Sequence, residues 1–305
     1  MTKLVRKFIH LSHFKWLLIV VAAGWLAGCL HIPLQPTLNH SAAYQSNKQS
    51  ANCETDTARS GINKVADTGL STDQISLLIW NIFKQSRSNW LTDFQQLSSD
   101  KDLLILQEAY MDKSLDSVLS DSPYHWLMTT AFYYQDNASG VLTASRKLAT
   151  RHCALYTKEP FIQTPKSILL SLYPITGTDQ TLLVANVHGI NFSLGLASYR
   201  NQFEALGKVI RNHSGPLILA GDFNSWREDR QAILDELRKE LSLQQVEYES
   251  HHRITVFGNP IDHVYYRGLE LVHSSSPYVS SSDHNPLLVT FKLNEAQQNR
   301  YAKIP

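Results

Sequence analysis

Eight short apolar segments, separated by polar stretches, constrain the fold of this chain more than any other feature of its sequence. Their lengths, and the turn residues that bound them, predict β-strands. Several carry apolar side chains at consecutive positions, which predicts strands that are buried on both faces. The predicted strands lie at residues 75–80, 102–107, 139–145, 167–175, 181–188, 216–223, 262–267 and 286–291.

Amphipathic stretches between these segments predict helices. The stretch at 197–212 places Tyr199, Phe203, Leu206 and Ile210 on one stripe, as in a helix with one buried face. The chain has 305 residues, of which 43% are hydrophobic, and this is enough for one large core. The predicted helices lie at about residues 88–98, 112–120, 197–212 and 227–241.

Residues 1–29 have the organisation of an export signal. Basic residues precede an apolar run over 17–26, which is shorter than the roughly 20 residues of a spanning helix. The ending Leu26-Ala27-Gly28-Cys29 resembles the processing box of bacterial lipoproteins, and this resemblance implies a lipid-bearing Cys29. The alternative is an uncleaved N-terminal anchor. Both interpretations predict a body in the cell envelope of a bacterium, facing the periplasm or the exterior and tied to a membrane.

The composition changes twice after this segment. Residues 30–73 are rich in Ser, Asn, Thr, Gln and Ala and lack apolar periodicity, which predicts a flexible polar linker. Residues 74–293 contain all the predicted strands and helices, so they form the predicted domain. Residues 294–305 are polar and are predicted to be a frayed tail.

Cysteine and charge content narrow the class of protein. Three cysteines are too few for a disulfide scaffold or a cysteine-based zinc site. Apart from Cys29, the cysteines are Cys53 and Cys153, which either pair in an oxidising compartment or remain free thiols. The formal net charge of +1 gives no global field that would indicate nucleic-acid binding, although it leaves room for a local basic patch.

Polar side chains recur where the predicted strands end or begin. Any one of them alone is more often a turn residue than a catalyst, but several strands that each deliver an oxygen or nitrogen ligand predict a shared cup. Carboxylates with amides suit Mg²⁺ or Mn²⁺, and imidazoles handle protons, a combination that suits phosphoryl chemistry. The residues in this pattern are Asn81, Glu108, His188, Asp222, Asn224, Asp262, Asp283 and His284.

The same residues stand in motifs that resemble those of the endonuclease/exonuclease/phosphatase (DNase I-like) superfamily, which includes nucleases, sphingomyelinases and inositol phosphatases. They span about residues 75–292, and the stretches HGINFSLG and WNIFKQ resemble a poorly characterised bacterial branch. The resemblance implies an α/β fold, a four-layer α/β/β/α sandwich of two packed mixed β-sheets flanked by helices. The matching motifs are Trp80-Asn81, Gln107-Glu108, Asn186-Val187-His188, Gly221-Asp222-Phe223-Asn224, Ile261-Asp262-His263-Val264 and Ser282-Asp283-His284-Asn285-Pro286.

The resemblance also implies a role for each site residue. Glu108 would be the main Mg²⁺ (or Mn²⁺) ligand, with Asn81 and Asp283 nearby. Asp222 and Asn224 would orient or activate the attacking water and hold the phosphate. Asp262 would fix the tautomer of His284, which would contact the scissile phosphate or act as the base. His188 would help to protonate the leaving group, and Asn191 is either a phosphate contact or a turn residue.

The substrate stays open at this point. A nuclease would need basic and aromatic side chains beside the cup, whereas a phospholipase would need an exposed apolar loop such as residues 132–136 near Trp126. Small phosphodiesters are a third class, and a catalytically silent binding module or a structural lipoprotein are rival interpretations. We expect a monomer. The candidate nucleic-acid contacts are Arg87, Trp90, Arg146, Arg151, Trp226, Arg227 and Arg230.

Overall fold

A computed structural model of the chain describes residues 30–34, 37–44, 53, 66–160, 164–249 and 251–294. The predicted signal at 1–29, which includes Cys29, and nearly all of the predicted tail, 295–305, lie outside these residues. Within the described residues, no helix is both long enough and apolar enough to cross a membrane.

Two mixed β-sheets form the centre of the fold. In the first sheet, β2 (Thr37–His40) pairs with the edge of β5 (His125–Tyr134), and outside both sheets β12 (Thr255–Val256) and β13 (Asn259–Pro260) form a separate hairpin. The first sheet has the order β1 (Leu30–His31), β5 (His125–Tyr134), β6 (Asn137–Ser145), β4 (Leu103–Tyr110), β3 (Ile75–Asn81), β16 (Leu287–Leu293) and β15 (Leu269–Ser275). The second sheet has the order β11 (Gln244–Gln245), β14 (Asp262–Arg267), β10 (Leu217–Asp222), β9 (Thr181–His188), β8 (Pro165–Pro174) and β7 (Arg151–Lys158).

Four α-helices of the described residues cover the sheets. They are α1 (Trp90–Ser98), α2 (Lys113–Ser120), α3 (Ala197–Ile210) and α4 (Glu228–Glu240), and a 3₁₀ turn lies at Phe83–Gln85. Asp112 caps α2, because its Oδ1 accepts hydrogen bonds from the backbone N–H groups of Ser114 and Leu115. The four helices predicted from amphipathic patterns are confirmed, with ends that differ by one or two residues.

The alternation of side chains along each strand builds three cores. In β3, Leu77 and Ile79 face the core between the sheets, whereas Leu78 and Trp80 face the core that contains α1 and α2. A third core lies between the second sheet and helices α3 and α4. The layers are therefore helix, sheet, sheet and helix, and the predicted α/β/β/α sandwich is confirmed.

Residues from the predicted linker contribute to this fold, which differs from a wholly flexible 30–73. β1 and β2 both pair antiparallel with β5, and the Tyr44 side chain is buried, its hydroxyl accepting a hydrogen bond from the Ala149 N–H. The sequence does not reveal this, because main-chain pairing needs no apolar pattern. Cys53 forms a disulfide with Cys153 of β7, so the paired alternative is the one that the structure contains.

Candidate active site

Strands from both sheets meet at one edge of the sandwich, which we call the site edge. The parallel strands β9 and β10 end there at His188 and Asp222, which are in register, and β14 begins there at Asp262, opposite Asp222. In the other sheet, the parallel strands β3 and β4 end at the same edge, with Asn81 opposite Gln107. The polar residues that the sequence places at strand ends are therefore brought together by the topology.

Asp222 lies at the centre of the site. Its Oδ2 accepts hydrogen bonds from Asn81 Nδ2 at 3.1 Å and Asn224 Nδ2 at 3.2 Å, and its Oδ1 accepts one from the Asn224 backbone N–H at 2.9 Å. Asp222 Oδ2 also lies 3.6 Å from His188 Nε2 and 4.0 Å from His284 Nε2. Burial raises the pKa of Asp222 to about 6 against the opposing effect of His284, so its proton affinity is that of a general base near neutral pH.

His284 and Asp262 form a buried pair. Asp262 Oδ2 lies 2.8 Å from His284 Nδ1, so the carboxylate fixes the ring and leaves Nε2 to face Asp222. Burial alone would lower the pKa of His284, but the charge and hydrogen bond of Asp262 outweigh it and raise the pKa to about 10. His284 is therefore an imidazolium at neutral pH, which is a donor for an anionic group.

Glu108 occupies an unusual backbone conformation. Its φ is +52°, in the left-handed region, and the pairing of β4 with β6 is irregular between Leu106 and Ala109. The Glu108 carboxylate forms an ion pair with Lys84 and lies 3.8 Å from His188 Nε2. Burial works to raise the pKa of Glu108, but the ammonium groups of Lys84 and Lys166 hold it below its usual range.

His188 is neutral in this arrangement. Its Nε2 lies 2.6 Å from Lys166 Nζ, and burial together with that ammonium holds the pKa of His188 well below its usual range. Because an ammonium group can only donate, His188 Nε2 accepts a hydrogen bond from Lys166. Sequence analysis missed both lysines. Lys84 lies three residues after the motif residue Asn81, and this proximity is a signal in the sequence. Lys166 lies at the start of β8, a strand that carries no site motif.

The remaining motif residues hold the site in place. The Trp80 indole N–H donates to the His284 carbonyl oxygen at 2.9 Å, and Gln107 Nε2 donates to Asn186 Oδ1 at 2.7 Å between the two sheets. Gly221 has a φ of +138°, and a Cβ there would lie 2.2 Å from the Val187 carbonyl oxygen, so only glycine fits before Asp222.

Asn191 and Asp283 lie at the margin of the site. Asn191 Oδ1 accepts a hydrogen bond from the indole N–H of Trp226, and its backbone N–H donates to Glu159 Oε1 at 2.6 Å. This favours the interpretation of Asn191 as a loop residue that positions Trp226. Asp283 is half-buried, with one carboxylate oxygen 3.4 Å from Ser282 Oγ.

Most of the candidate nucleic-acid contacts have other partners. Arg146 donates to the carbonyl oxygens of Ser99 and Lys101, and Trp90 packs against Phe94. Arg230 is fully buried, and its guanidinium lies over the rings of Tyr199 and Trp226 at 4.6 Å. It also donates to the carbonyl oxygens of Ile190, Asn191 and Asn224, so it fixes the loops that carry the site.

The donor set fits a divalent cation. The Glu108 carboxylate is a hard oxygen donor, and it lies within 4 Å of the same His188 Nε2 as the Asp222 carboxylate. Ligand atoms of Asp222, Asp262 and His284 also lie within 4.8 Å of one another, but Asp262 is hydrogen-bonded to His284, so a cation would be held on the Glu108 side of this group. Two ammonium groups, from Lys84 and Lys166, lie against this acidic set. The pocket is therefore built to hold positive charge, with the carboxylates concentrated around Asp222.

A sequence profile of the Endonuclease/Exonuclease/phosphatase family matches residues 78–284, and the chain belongs to this family. More narrowly, it is similar to a UPF0294 protein of Vibrio parahaemolyticus, with 40% identity over 237 residues that cover 77% of this chain and 83% of the relative. The resemblance predicted from the motifs is confirmed.

Solved structures share the fold. An endonuclease/exonuclease/phosphatase from Bacteroides vulgatus aligns with a TM-score of 0.58 and 14% identity, covering 72% of this chain and 99% of that one. The human Nocturnin catalytic domain, solved with a bound sulfate anion, aligns with a TM-score of 0.55 and 16% identity, covering 74% of this chain and 97% of that one. At these identities the likeness extends to the fold alone.

Proposed function

We propose that this protein is a metal-dependent phosphohydrolase that cleaves a phosphoester or phosphodiester bond, and that it is exported and tethered to a membrane. The observation that carries the proposal is the position of the buried Asp222 carboxylate, with neutral His188 on one side and the His284 imidazolium on the other. A carboxylate base beside a fixed cationic donor suits water attack on an anionic phosphate.

The residues divide the reaction between them. His284, held by Asp262, donates from Nε2 to an oxygen of the scissile phosphate. Asp222, oriented by the amide groups of Asn81 and Asn224, holds the attacking water and accepts its proton. Lys166 and His188 lie together where a leaving oxygen can take a proton.

Glu108, with Asn81 and Asp283, would hold Mg²⁺ or Mn²⁺. A divalent cation bound there supplies Lewis-acid polarisation of a phosphoryl oxygen and a template for the phosphate. The Lys84 ammonium forms an ion pair with Glu108 and holds the pKa of this carboxyl below its usual range, so Glu108 stays ionised.

Two features support export and tethering. Residues 1–29 have the organisation of an export signal that ends at Cys29. The Cys53–Cys153 disulfide is a bond that persists in oxidising compartments, which agrees with a location outside the cytoplasm.

The test is hydrolysis by the purified full chain, with Mg²⁺, with Mn²⁺ and with excess EDTA. The panel contains bis-p-nitrophenyl phosphate, plasmid DNA, RNA, phosphatidylglycerol vesicles and inositol phosphates, with His284→Gln as the inactive comparison. We expect turnover that needs the metal and that His284→Gln lowers by about a hundredfold or more.

Binding of Mn²⁺ is followed in parallel by electron paramagnetic resonance, and folding by circular dichroism. Full turnover in excess EDTA would contradict the metal-dependent mechanism. A folded chain that binds no Mn²⁺ and cleaves nothing in the panel would favour the binding-module interpretation. Elution at the monomer mass in size-exclusion chromatography with light scattering would agree with the expected monomer.

A further inference from the structure

The chain enters the fold at the site edge. Leu30 pairs with Tyr134 at the end of β5, and Tyr134 pairs with Asn137 at the start of β6. β6 in turn pairs with β4 so that Ser139 lies opposite Tyr110, two residues beyond Glu108. Leu30 is therefore at the same end of the first sheet as Glu108 and lies farther out along the strand direction.

The register gives the scale of this separation. Three inter-strand spacings of about 4.8 Å and four strand residues of about 3.3 Å place Leu30 roughly 20 Å from Glu108 within the sheet. Cys29 is covalently bonded to Leu30, so their Cα atoms are about 3.8 Å apart. A lipid on Cys29, or an anchor formed by residues 1–29, would therefore join the described fold beside the site edge, with almost no intervening chain.

Exposed apolar side chains are concentrated at the same edge. Among the described residues, nine large apolar side chains are exposed, and six of these lie on strand ends or loops at the site edge. Leu194 and Phe257 are both 84% exposed. Leu194 is on the loop that follows His188, and Phe257 is at the tip of the β12–β13 hairpin that leads into Asp262. The six are Leu30, Tyr134, Phe192, Leu194, Phe257 and Tyr278.

Cationic side chains accompany this apolar rim. Arg87 is exposed, and its guanidinium donates to the Ser282 carbonyl oxygen at 2.6 Å, next to Asp283. Lys158, at the end of β7, is also exposed at the site edge. Apolar side chains interspersed with cations match the boundary between acyl chains and anionic headgroups.

We propose that the site edge is the membrane-docking face of the protein, and that the site acts on a phosphoester of a lipid in the same bilayer. The anchor at residue 29 brings this edge to the bilayer, and Phe192, Leu194 and Phe257 enter the headgroup layer around the mouth of the site. The choice of lipid as the substrate class rests on the proposed phosphohydrolase function, whereas the docking face does not.

The experiment separates these two parts. The full chain is reconstituted in phosphatidylethanolamine–phosphatidylglycerol vesicles, with the environment-sensitive fluorophore NBD attached through Leu194→Cys. The matched comparison is Leu148→Cys, an exposed leucine beyond β6 at the opposite edge, and the unsubstituted chain provides the background. We expect emission from position 194 to shift to shorter wavelength and to be quenched by nitroxide-bearing lipids, and emission from position 148 to remain that of a dye in water.

Activity is measured on the same vesicles. Leu194→Glu should lower hydrolysis of the vesicle lipid by about tenfold or more while hydrolysis of soluble bis-p-nitrophenyl phosphate stays within about twofold. Leu148→Glu should leave both rates unchanged. Water-like emission from both labelled positions, with the soluble ester still cleaved, would overturn the docking face and leave the phosphohydrolase intact.

Two other outcomes are equally clear. A membrane-buried dye at position 194 without hydrolysis of any ester would support the docking face and contradict the proposed function. Vesicle lipid cleaved equally well by Leu194→Glu, or left uncut while DNA is cleaved, would overturn the assignment of a lipid substrate.

Discussion

His284 Nδ1 lies 2.8 Å from Asp262 Oδ2, and both side chains are buried at the site edge. The Asp262 anion raises the pKa of His284 to about 10, against burial that would lower it. The imidazolium form of His284 therefore persists from acidic pH to above neutrality, and it is lost as the pH rises through that value.

Asp262→Asn should lower the pKa of His284, because the amide carries no charge. We expect kcat/KM at neutral pH to fall by about a hundredfold or more, and the residual rate to decline at a lower pH than in the wild type. The rate is measured across pH, and the His284 imidazole is titrated by NMR. Glu270→Gln, a change at the exposed end of β15, is the control and should leave both unchanged. An unaltered His284 titration in Asp262→Asn would contradict the role assigned to the pair.

Arg230→Lys should destabilise the protein and impair the site. The lysine cannot reproduce the forked contacts that Arg230 makes with the carbonyl oxygens of Ile190, Asn191 and Asn224. We expect a loss of about 2–4 kcal/mol in the free energy of unfolding, measured by urea denaturation. Arg238→Lys, on the same helix but partly exposed, should change the free energy by less than about 0.5 kcal/mol. Equal effects of the two substitutions would contradict this account.

Reduction of the disulfide should destabilise the fold. Cys53 and Cys153 are separated by 100 residues, and a cross-link over such a loop contributes about 4.7 kcal/mol in the chain-entropy estimate. We expect dithiothreitol to lower the urea midpoint of the wild type. Cys53→Ser should have the lowered midpoint without reductant and should not respond to it. A wild-type midpoint that is the same in both conditions would show that the bond adds no stability.

Acidification should destabilise the protein through His263. Burial lowers the pKa of His263 to about 3 from 6.5, so the unfolded chain binds the proton more readily than the folded one. The contribution of neutral His263 to the free energy of unfolding is fully present above about pH 6.5. It is lost as the pH falls towards about 3, the pKa of His263 in the folded protein. Between pH 6.5 and about pH 5, the free energy of unfolding should fall by about 2 kcal/mol through this residue.

The pH dependence of the urea midpoint checks this. His263→Gln should make the decline on the acidic side shallower, whereas His273→Gln, at an exposed position, should not. An identical slope in His263→Gln and wild type would indicate that other groups account for the acid sensitivity.

The sequence predicts the layers of this fold because its central strands are apolar at consecutive positions. β3, β9 and β10 are buried along their whole length and were all predicted. Strands β5, β7 and β15 were missed. The apolar run of β5 is interrupted by Thr129 and Thr130, which are buried. β7 and β15 are each the last strand of a sheet, and their buried and exposed residues alternate irregularly. β1 and β2 were missed because main-chain pairing with β5 leaves no signature in a polar stretch.

The site was predictable where motifs carried it. The grouping of Asp222, Asp262 and His284 follows from residues at strand ends and the topology that joins those ends. The positions of Lys84 and Lys166 could not be deduced in the same way, because a single lysine in a sequence does not reveal which carboxylate or imidazole it will face. Arg230 was misjudged as a surface candidate because a charged residue in an amphipathic helix is ordinarily solvated.

The left-handed backbone conformation of Glu108 lowers the stability of the protein at a residue that the site needs. A non-glycine residue at a φ of +52° costs on the order of 1 kcal/mol that glycine would not. Glu108→Gly should therefore be inactive yet at least as resistant to urea as the wild type, while Glu108→Ala should be inactive and keep the strain. A chain that retains glutamate where glycine would fold better gives up stability at this position for the carboxylate.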